Sequence, residues 1–362
     1  MNASLNEKLR AVKWGEYKLG TLFDIENTLS FNAEKLVDGK EYDYVTRTSI
    51  NQGILQTTGF VNESNINASG TWSLGLLSMD FFYRRKPWYA GQFVRKIIPN
   101  ISAVPFFSTI LNKQKPILLS VLVRSVDEAF KNISIKLPET ADGKIDFDFM
   151  ESFIAELEAE RVAELSAYLT VSGLDNYELS NDEEDALKNF QSLKWDTYNL
   201  EKLFGKSTRG KRLKGDDRIA GTLPFVTAGE ASEGISAYIS NEVEVFEKNT
   251  TTIDMFGSAK YRNYKYGADD HVAVVHTEAV PMKAAIFVTS ACHKAAHTGK
   301  FDYGHNFYAK DADALDIQLP TKGGKPDYDT MTALISAVQK LVIKDVVAYS
   351  NRKIKATKAV VK

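Results

Sequence analysis

Two long segments of the chain carry apolar residues at the spacing of an amphipathic helix. In residues 150–168, apolar side chains recur every three or four positions, with several glutamates between them. The same spacing returns in residues 331–349. A helix of about 22 residues is roughly 33 Å long, and an apolar stripe of that length needs a partner surface. We therefore expect the two helices to pack together as a coiled-coil-like spacer, with packing on the adjoining sheet as the alternative.

Short runs of β-branched and aromatic residues precede each helix and predict strands. Before the first helix they are residues 42–45, 75–79, 93–98 and 133–137. Before the second helix they are residues 223–226, 251–256, 272–275 and 315–319. A Ser-x-x-Glu capping box, at Ser4 and again at Ser180, predicts a short helix at the start of each set. The pattern indicates an α+β protein with two mainly-β bodies, each followed by a long helix.

The second half of the chain repeats the first at a constant offset of 181 positions. Trp14 returns as Trp195, and the strand that ends in Tyr44-Val45-Thr46 returns as Phe225-Val226-Thr227. Because separated blocks share one register, we interpret the chain as a tandem duplicated unit. We expect a first domain with an N-terminal helix at residues 1–140 and a first spacer helix at residues 141–172. An acidic linker with a short helix follows at residues 173–192. A second domain at residues 193–322 and a second spacer helix with a basic tail at residues 323–362 complete the chain.

Composition narrows the class of protein without naming a partner. The chain has 362 residues and a single cysteine, Cys292, which excludes a disulfide framework and a cysteine-based zinc finger. The first residues contain no apolar run typical of a signal peptide, and no apolar stretch is long enough to span a bilayer. We therefore expect a cytoplasmic protein without a membrane partner. The net charge of −2 neither requires nor excludes a nucleic-acid partner, since basic residues are clustered.

The order and duplication of these motifs resemble the DNA-specificity subunits of type I restriction-modification systems. The motifs are the Trp-x-x-x-x-Leu-x-x-Leu-Phe opening at Trp14 and Trp195, the Tyr-Val-Thr strand that ends at Gly53-Ile54, and an Ile-x-Leu-Pro strand before each long helix. The length is closer to the specificity subunits of type IIB (Bcg-like) systems, which pair with a combined nuclease-methyltransferase chain. The second unit is more similar than the first, because Asp254-Met255-Phe256-Gly257 has no counterpart after Ser73.

The resemblance implies a division of labour between this chain and its partners. Two target-recognition domains would each bind one half of a bipartite double-stranded DNA site, and the helices would set the gap. Methyltransferase and nuclease subunits would dock on the helices and carry S-adenosylmethionine and Mg²⁺. We find no Asn-Pro-Pro-Tyr or Asp-Pro-Pro-Tyr motif for amino-methylation. This chain is therefore expected to have no catalytic residue and to bind neither a cofactor nor a metal.

Basic and aromatic residues alternate in one segment of each unit, as DNA contacts require. The candidates there are Tyr83, Arg84, Arg85 and Lys86 in the first unit and Lys260, Tyr261 and Arg262 in the second. The alternative is a solvated strand edge with ordinary aromatic pairs. The loop after the Tyr-Val-Thr strand is rich in donors and acceptors. Its candidates are Thr46, Arg47, Thr48, Ser49, Asn51 and Gln52, matched by Thr227, Glu230 and Ser232.

A third segment is a basic loop that mimics a phosphate-binding P-loop. Arg212 stands where the magnesium-binding Ser or Thr should be, so a loop that contacts the DNA backbone is favoured. Its candidates are Lys206, Arg209, Lys211 and Arg212.

Two other functions stay open at this point. One is a stand-alone metal-dependent hydrolase that uses the histidine-rich segment His293, His297, Asp302 and His305. The other is a protein-interaction scaffold without DNA affinity.

Overall fold

The computed structural model describes residues 3–102 and 105–360. The chain divides into two compact units. The first is Met1–Leu165 with Lys353–Lys362, and the second is Ser166–Arg352.

The first unit opens with a helix and continues through nine strands and five further helices, four short and one long. Its elements are α1 (Ala3–Ala11), β1 (Lys13–Lys18), α2 (Leu19–Leu22), β2 (Phe23–Asn27), β3 (Tyr42–Val45), β4 (Ile54–Thr58), β5 (Thr71–Gly75), β6 (Asp80–Arg84), β7 (Trp88–Ala90), β8 (Val94–Pro99), α3 (Phe106–Asn112), α4 (Lys115–Leu119), α5 (Val126–Asn132), β9 (Ser134–Glu139) and α6 (Phe147–Val171). Residues 166–171 of α6 are counted with the second unit.

Three small sheets form the β part of the first unit. One has the order β2-β8-β5-β6, one the order β4-β3-β7, and β1 pairs with β9. Strand β5 lies between β8 and β6, and all five of its residues are buried. The main core is built around Trp72 on β5, whose ring meets Phe23 edge-on with centroids 5.8 Å apart, and Met150 at the start of α6 also packs there. The central strand and the first turns of the long helix therefore share one apolar core.

The second unit uses the same kinds of elements in a similar order, with two additional strands of two residues each and a longer helix after the central strands. Its elements are α7 (Asn181–Lys188), β10 (Trp195–Asn199), α8 (Leu200–Phe204), β11 (Thr208–Arg209), β12 (Ala220–Val226), β13 (Ile235–Ile239), β14 (Val245–Phe246), β15 (Thr250–Asp254), β16 (Ala259–Arg262), β17 (Tyr266–Ala268), β18 (Val272–Val275), α9 (Met282–Ala296), α10 (Ala309–Asp313), β19 (Asp316–Lys322), β20 (Lys325–Pro326) and α11 (Tyr328–Val360).

Strand pairing in the second unit follows the pattern of the first. The sheets have the orders β11-β18-β15-β16, β13-β12-β17-β14 and β10-β19-β20. Strand β12 runs parallel to β17 with Val226 opposite Ala268, as β3 runs parallel to β7 with Val45 opposite Ala90. Trp14 pairs with Pro138 and Trp195 with Pro320. Matched positions in the two halves of the sequence thus occupy matched positions in the two sets of sheets.

Most predicted elements are confirmed, with shifted ends. Strands 42–45 and 272–275 have the predicted bounds. The predicted strand 75–79 is wrong: the strand ends at Gly75, and the following residues form the turn to β6. The capping box at Ser180 is confirmed, because its hydroxyl accepts from the Glu183 amide while the Glu183 carboxylate accepts from the Ser180 amide. Ser4 is not a helix cap, since α1 already includes Ala3.

The long helices are confirmed and extend beyond the predicted residues. Helix α11 continues to Val360. Its apolar stripe is not uniform: Met331 and Leu334 are buried, whereas Leu341 and Val342 are 50% and 75% exposed. The first turns of α11 therefore belong to the core of the second unit, while the middle of the helix presents apolar side chains on the surface.

Candidate nucleic-acid interface

In the first unit, a polar loop joins β3 to β4 through a left-handed turn. The Thr46 amide donates to the Gly53 carbonyl at 2.8 Å and closes the loop. Asn51 and Gln52 have φ values of 49° and 54°, and Gly53 follows with 78°. Of the candidate residues, Arg47, Ser49, Asn51 and Gln52 are exposed, while Thr46 and Thr48 are half-buried. The loop thus presents a mixed set of donors and acceptors, the kind of surface that base edges and phosphates accept.

The second unit builds the same loop with different side chains. The Thr227 amide donates to the Gly234 carbonyl at 2.8 Å. Ser232, Glu233 and Gly234 have φ values of 48°, 55° and 79°. The candidates Glu230 and Ser232 are exposed, and Thr227 is half-buried. Because non-glycine residues rarely adopt positive φ, two consecutive examples at matched positions mark a backbone shape that the surrounding structure imposes.

Each loop rests on its neighbouring strand in its own way. In the first unit, a Cβ atom on Gly75 would lie 3.0 Å from the Arg47 backbone, so glycine permits this close approach. In the second unit, Asp254 occupies the corresponding strand end, and its Oδ2 accepts from the Gly229 amide at 3.3 Å. The first residue of the Asp-Met-Phe-Gly motif therefore has a contact in the second unit that the first unit makes without it.

Arg84 and Arg262 were expected to contact DNA, and the structure places both inside the domains. Arg84 is 2% exposed and Arg262 is 1% exposed. Burial lowers the pKa of Arg84 to about 10, which leaves the guanidinium protonated at neutral pH. A buried guanidinium whose donors are used internally cannot also reach a groove of DNA. We therefore do not retain these two residues as direct contacts.

The other residues of the two basic-aromatic segments divide by exposure. Arg85 and Lys86 are exposed. Tyr83 is half-buried with its ring 4.8 Å from that of Trp72, and Tyr261 donates from its hydroxyl to Asn249 at 2.8 Å. Lys260 is held by internal contacts, its Nζ lying 2.8 Å from Ser258 Oγ and 3.4 Å from Asp254 Oδ2. Lys86 Nζ donates to the Lys40 carbonyl at 3.2 Å and lies 3.8 Å from Asp43 Oδ1. Arg85 is therefore the member of these segments that can meet a phosphate without rearrangement.

A cleft of about 920 Å³ opens beside the loop of the first unit. Its walls combine the polar loop with the apolar side chains of Ile50, Leu55 and Leu77, all of which are largely exposed. Next to it, the Arg47 guanidinium lies 5.2 Å above the ring of Phe93, which is itself exposed. This part of the surface offers both hydrogen-bonding groups and exposed rings.

The basic loop of the second unit is anchored at its centre and leaves its charges exposed. A Cβ on Gly210 would lie 1.6 Å from the Ala268 carbonyl, so only glycine fits there. Lys206, Arg209, Lys211 and Arg212 are all exposed. Within residues 3–102 and 105–360, none of the four forms an ion pair. The segment continues into a 3₁₀ turn at Gly215–Asp217 and not into an α-helix, unlike a P-loop.

The histidine-rich segment does not assemble a set of metal ligands. His293 Nδ1 lies 3.2 Å from the Ala259 amide, and the rings of His293 and His297 stack with centroids 4.7 Å apart. Across the part of the chain that the structure describes, the one group of three nearby ligand-type side chains is Asp269, Asp270 and His271. Cys292 is buried, as expected of a structural thiol, and burial raises its pKa to about 12.

The left-handed turns and the buried arginines were not recognised in the sequence. One signal was present, because the matched glycines Gly53 and Gly234 indicate a repeated positive-φ position. The two non-glycine residues before each glycine carried no such signal. Arginine burial depends on partners far along the chain and could not be read from local pattern.

Comparison with known proteins shows what the chain is similar to. Residues 11–167 match the family model of the type I restriction modification DNA specificity domain. Over 353 residues the chain is 22% identical to the specificity subunit S.BcgI of a type II restriction enzyme from Heyndrickxia coagulans, covering 92% of this chain and 96% of the relative. The family resemblance drawn from the sequence motifs is confirmed.

A solved structure supports the fold along nearly the whole chain. The S subunit of a type I restriction-modification system from M. genitalium superposes with a TM-score of 0.60 at 13% identity, covering 97% of this chain and 94% of that one. At this identity the likeness concerns the mixed α+β fold alone. Among the described residues, no helix has both the length and the apolar character needed to cross a membrane.

Proposed function

We propose that this chain is the non-catalytic specificity subunit of a restriction-modification complex, built as a tandem duplication, and that it binds a bipartite double-stranded DNA site. The observation that carries the proposal is the repeated loop. Both units have the same left-handed turn and the same amide-to-carbonyl closure at 2.8 Å, but different exposed side chains. A common backbone with divergent polar groups suits two domains that read two different half-sites.

The first half-site would meet the loop residues Arg47, Ser49, Asn51 and Gln52, with Arg85 available for a phosphate and Lys86 able to reach one on leaving Asp43. The second would meet Glu230 and Ser232, with the four exposed cations of the basic loop near the DNA backbone. An acceptor such as Glu230 suits the amino group of cytosine, whereas the guanidinium of Arg47 suits the O6 and N7 acceptors of guanine. The two loops therefore carry exposed groups of opposite charge, and Glu230 Oε1 also lies 3.3 Å from Lys260 Nζ.

Helices α6 and α11 are proposed as a coiled-coil-like spacer and as the docking surface for catalytic subunits. Lys353 near the end of α11 pairs with Glu158 of α6, with Nζ and Oε1 2.6 Å apart. The exposed Leu341 and Val342 in the middle of α11 leave apolar surface for another chain. The partner subunits would supply S-adenosylmethionine, Mg²⁺ and the chemistry, and the complex would act in the cytoplasm. Likeness to S.BcgI along the whole chain favours a partner that combines methyltransferase and nuclease activities.

Selection of bound duplexes from a random pool, with the chain in complex with its catalytic partner, tests this proposal. We expect two enriched blocks of bases separated by a gap of constant length. Enrichment of one continuous block would contradict the bipartite assignment. No enrichment at all would contradict sequence-specific binding.

Salt dependence separates the proposal from a scaffold without DNA affinity. Binding to an unselected duplex should weaken steeply between about 50 mM and 200 mM salt, because phosphate contacts release counterions. A scaffold would show no binding at either concentration. A stand-alone hydrolase would require activity and bound metal in the isolated chain.

A further inference from the structure

We propose that Arg84 and Arg262 are positioning residues that hold the recognition loop of their own unit in its reading conformation. The inference rests on the proposed function, because it assumes that these loops read DNA. It assigns the two arginines a role in specificity without any contact to the DNA.

In the first unit, Arg84 joins the central strand to the turn of the loop. Its Nε donates to Ser73 Oγ at 2.9 Å, and its Nη2 donates to the Gln52 carbonyl at 2.5 Å. Gln52 is one of the two non-glycine residues with positive φ in the turn of this loop. The guanidinium therefore binds the peptide group at the strained part of the turn.

The second unit repeats this arrangement. Arg262 Nε donates to Thr252 Oγ1 at 2.9 Å, and Nη1 donates to the Glu233 carbonyl at 2.8 Å. Glu233 corresponds to Gln52 in the turn, and Thr252 corresponds to Ser73 in the strand. Arg262 pairs with Thr250 across the hairpin, as Arg84 pairs with Thr71. The same residue type, with the same two kinds of acceptor, thus connects the same two elements in both units.

Charge and burial make this connection rigid. The hydrogen-bond acceptors of Arg84 are a neutral hydroxyl and a neutral carbonyl, and the Asp43 carboxylate favours its positive charge without a hydrogen bond. Breaking those bonds would leave a buried cation without partners, which costs far more than an ordinary loop movement. The arginine therefore keeps the turn closed, and the exposed side chains that flank it keep their directions.

The loops need such support because their backbone is unfavourable. Two successive non-glycine residues in the left-handed region carry an energetic cost, because their side chains crowd the backbone there. A charge-assisted hydrogen bond to the carbonyl of the second residue offsets part of this cost. Without the arginine, we expect the turn to relax and the donors and acceptors of the loop to sample several directions.

The test replaces Arg262 by methionine, which keeps much of the side-chain volume and removes every donor, in the full chain with its catalytic partner. Arg84→Met is the matched variant in the first unit. Base preference is measured by competition between duplexes altered in one half-site at a time, at a concentration of active protein fixed by stoichiometric titration. We expect Arg262→Met to lower discrimination about tenfold in the half-site read by the second unit. Discrimination in the other half-site should stay unchanged, and Arg84→Met should show the reverse.

Thr251→Val is the control that separates positioning from general stability. It removes a buried hydroxyl of the same strand, which lies 2.6 Å from Thr289 Oγ1, and leaves both hydrogen bonds of Arg262 in place. It should lower the unfolding temperature while base preference stays as in the wild type. An equal loss of affinity for all sequences in Arg262→Met, without a change of preference, would overturn the proposal.

A second measurement does not depend on DNA and stays informative if the methionine variants fold poorly. In Arg262→Lys, amide hydrogen exchange of Thr227, which donates to Gly234, should be at least tenfold faster than in the wild type. Exchange in the core strand β15 should change much less. Unchanged exchange at Thr227 would overturn the proposal. If Arg262→Lys speeds exchange at Thr227 but the wild-type complex shows no base preference, the proposed function alone is contradicted.

Discussion

At the scale of single residues, exposure decides which cations of this chain can meet DNA. Arg262 and Arg212 carry the same guanidinium, but the first is buried against Thr252 and Glu233 and the second is exposed on the basic loop. An exposed, unpaired cation can neutralise a phosphate at little cost, whereas a buried one already donates its hydrogen bonds within the protein. Burial, and not the chemistry of the side chain, therefore separates the role of Arg262 from that of Arg212.

The first prediction concerns the basic loop. Replacing Lys211 and Arg212 by alanine should weaken binding to all sequences alike. The slope of log affinity against log salt should become shallower by about two, because about one counterion is released per phosphate contact. Filter binding at several salt concentrations measures both effects. The double variant Lys322→Ala and Lys325→Ala removes the same charge from exposed positions before α11 and should leave the slope unchanged. An equal change in the two double variants would mean that only net charge matters.

The second prediction concerns Glu183, which caps α7 and pairs with Lys340 at 2.8 Å. Burial alone would raise the pKa of Glu183, but hydrogen bonds from Lys340, Ser336 and the Ser180 amide outweigh it and lower that pKa to about 2. Because the folded pKa lies below the unfolded value, the stabilisation is present above about pH 4.5 and is lost as pH falls towards 2. Glu183→Gln should lower the opening free energy of α7 by roughly 3 kcal/mol at most at pH 7.

Amide hydrogen exchange of α7 at pH 7 and pH 3 measures this effect. The difference between Glu183→Gln and the wild type should shrink at pH 3. Glu184→Gln is the control, because Glu184 forms only an exposed pair with Lys188 on the same helix, worth about 0.5 kcal/mol or less. A pH-independent difference would show that the cap, and not the ionised carboxylate, stabilises the helix.

At the scale of elements, the long helices combine a core role with an exposed surface. Met150 and Met331 are fully buried at the start of α6 and α11, where each helix leaves its domain. Further along α11, exposed apolar residues such as Leu341 and Val342 are followed by a buried one, Val347. A long helix whose first turns are fixed in a core is suited to transmit a distance, because its rise per residue is constant.

The third prediction concerns this distance. Inserting one heptad into both α6 and α11 keeps an apolar seam in phase and adds about 10 Å. The selected DNA site should keep both half-sequences and gain roughly three base pairs between them, at about 3.4 Å per step. A four-residue insertion in both helices is the control, since it rotates the stripe out of phase and should impair assembly. An unchanged gap after the heptad insertion would mean that the helices do not set the spacing.

At the scale of the whole molecule, the two units share a scaffold and differ at its surface. The parallel pairs β3-β7 and β12-β17, the left-handed turns and the buried arginines coincide. The first unit has three short helices, α3 to α5, between β8 and β9, where the second has α9 and α10. Modules that are alike inside and different outside should be exchangeable.

The fourth prediction follows from this modularity. Replacing residues 13–139 by a second copy of residues 194–321 joins equivalent positions, since Trp14 and Trp195 occupy matched strands. The chimera, in complex with its partner, should select a site in which the second half-sequence occurs twice. The reciprocal chimera should select two copies of the first half-sequence. Retention of the original asymmetric site by either chimera would show that the domains do not read DNA independently.

The elements that depend on local pattern were predictable from the sequence. Residues 42–45 and 272–275 are bounded by strong turn signals, and both strands have the predicted ends. The predicted strand at residues 75–79 was wrong because Leu76, Leu77 and Met79 are apolar residues in a turn, where Met79 takes a φ of 53°. Apolar character alone does not distinguish a buried turn from a strand.

By itself, the sequence determined the two long helices, the likeness between its two halves, the capping box at Ser180 and the resemblance to specificity subunits, because each is encoded in residue types at short, regular spacing. The tertiary structure alone decided the fate of Arg84 and Arg262. Their burial requires acceptors from a neighbouring strand and from a loop about thirty residues away, as with Arg84 and the Gln52 carbonyl. Nothing in a local run of basic and aromatic residues reveals whether a guanidinium will face water or a carbonyl. That choice is made only when the hairpin and the loop come together, because the cost of burying a charge depends on the partners that meet it there.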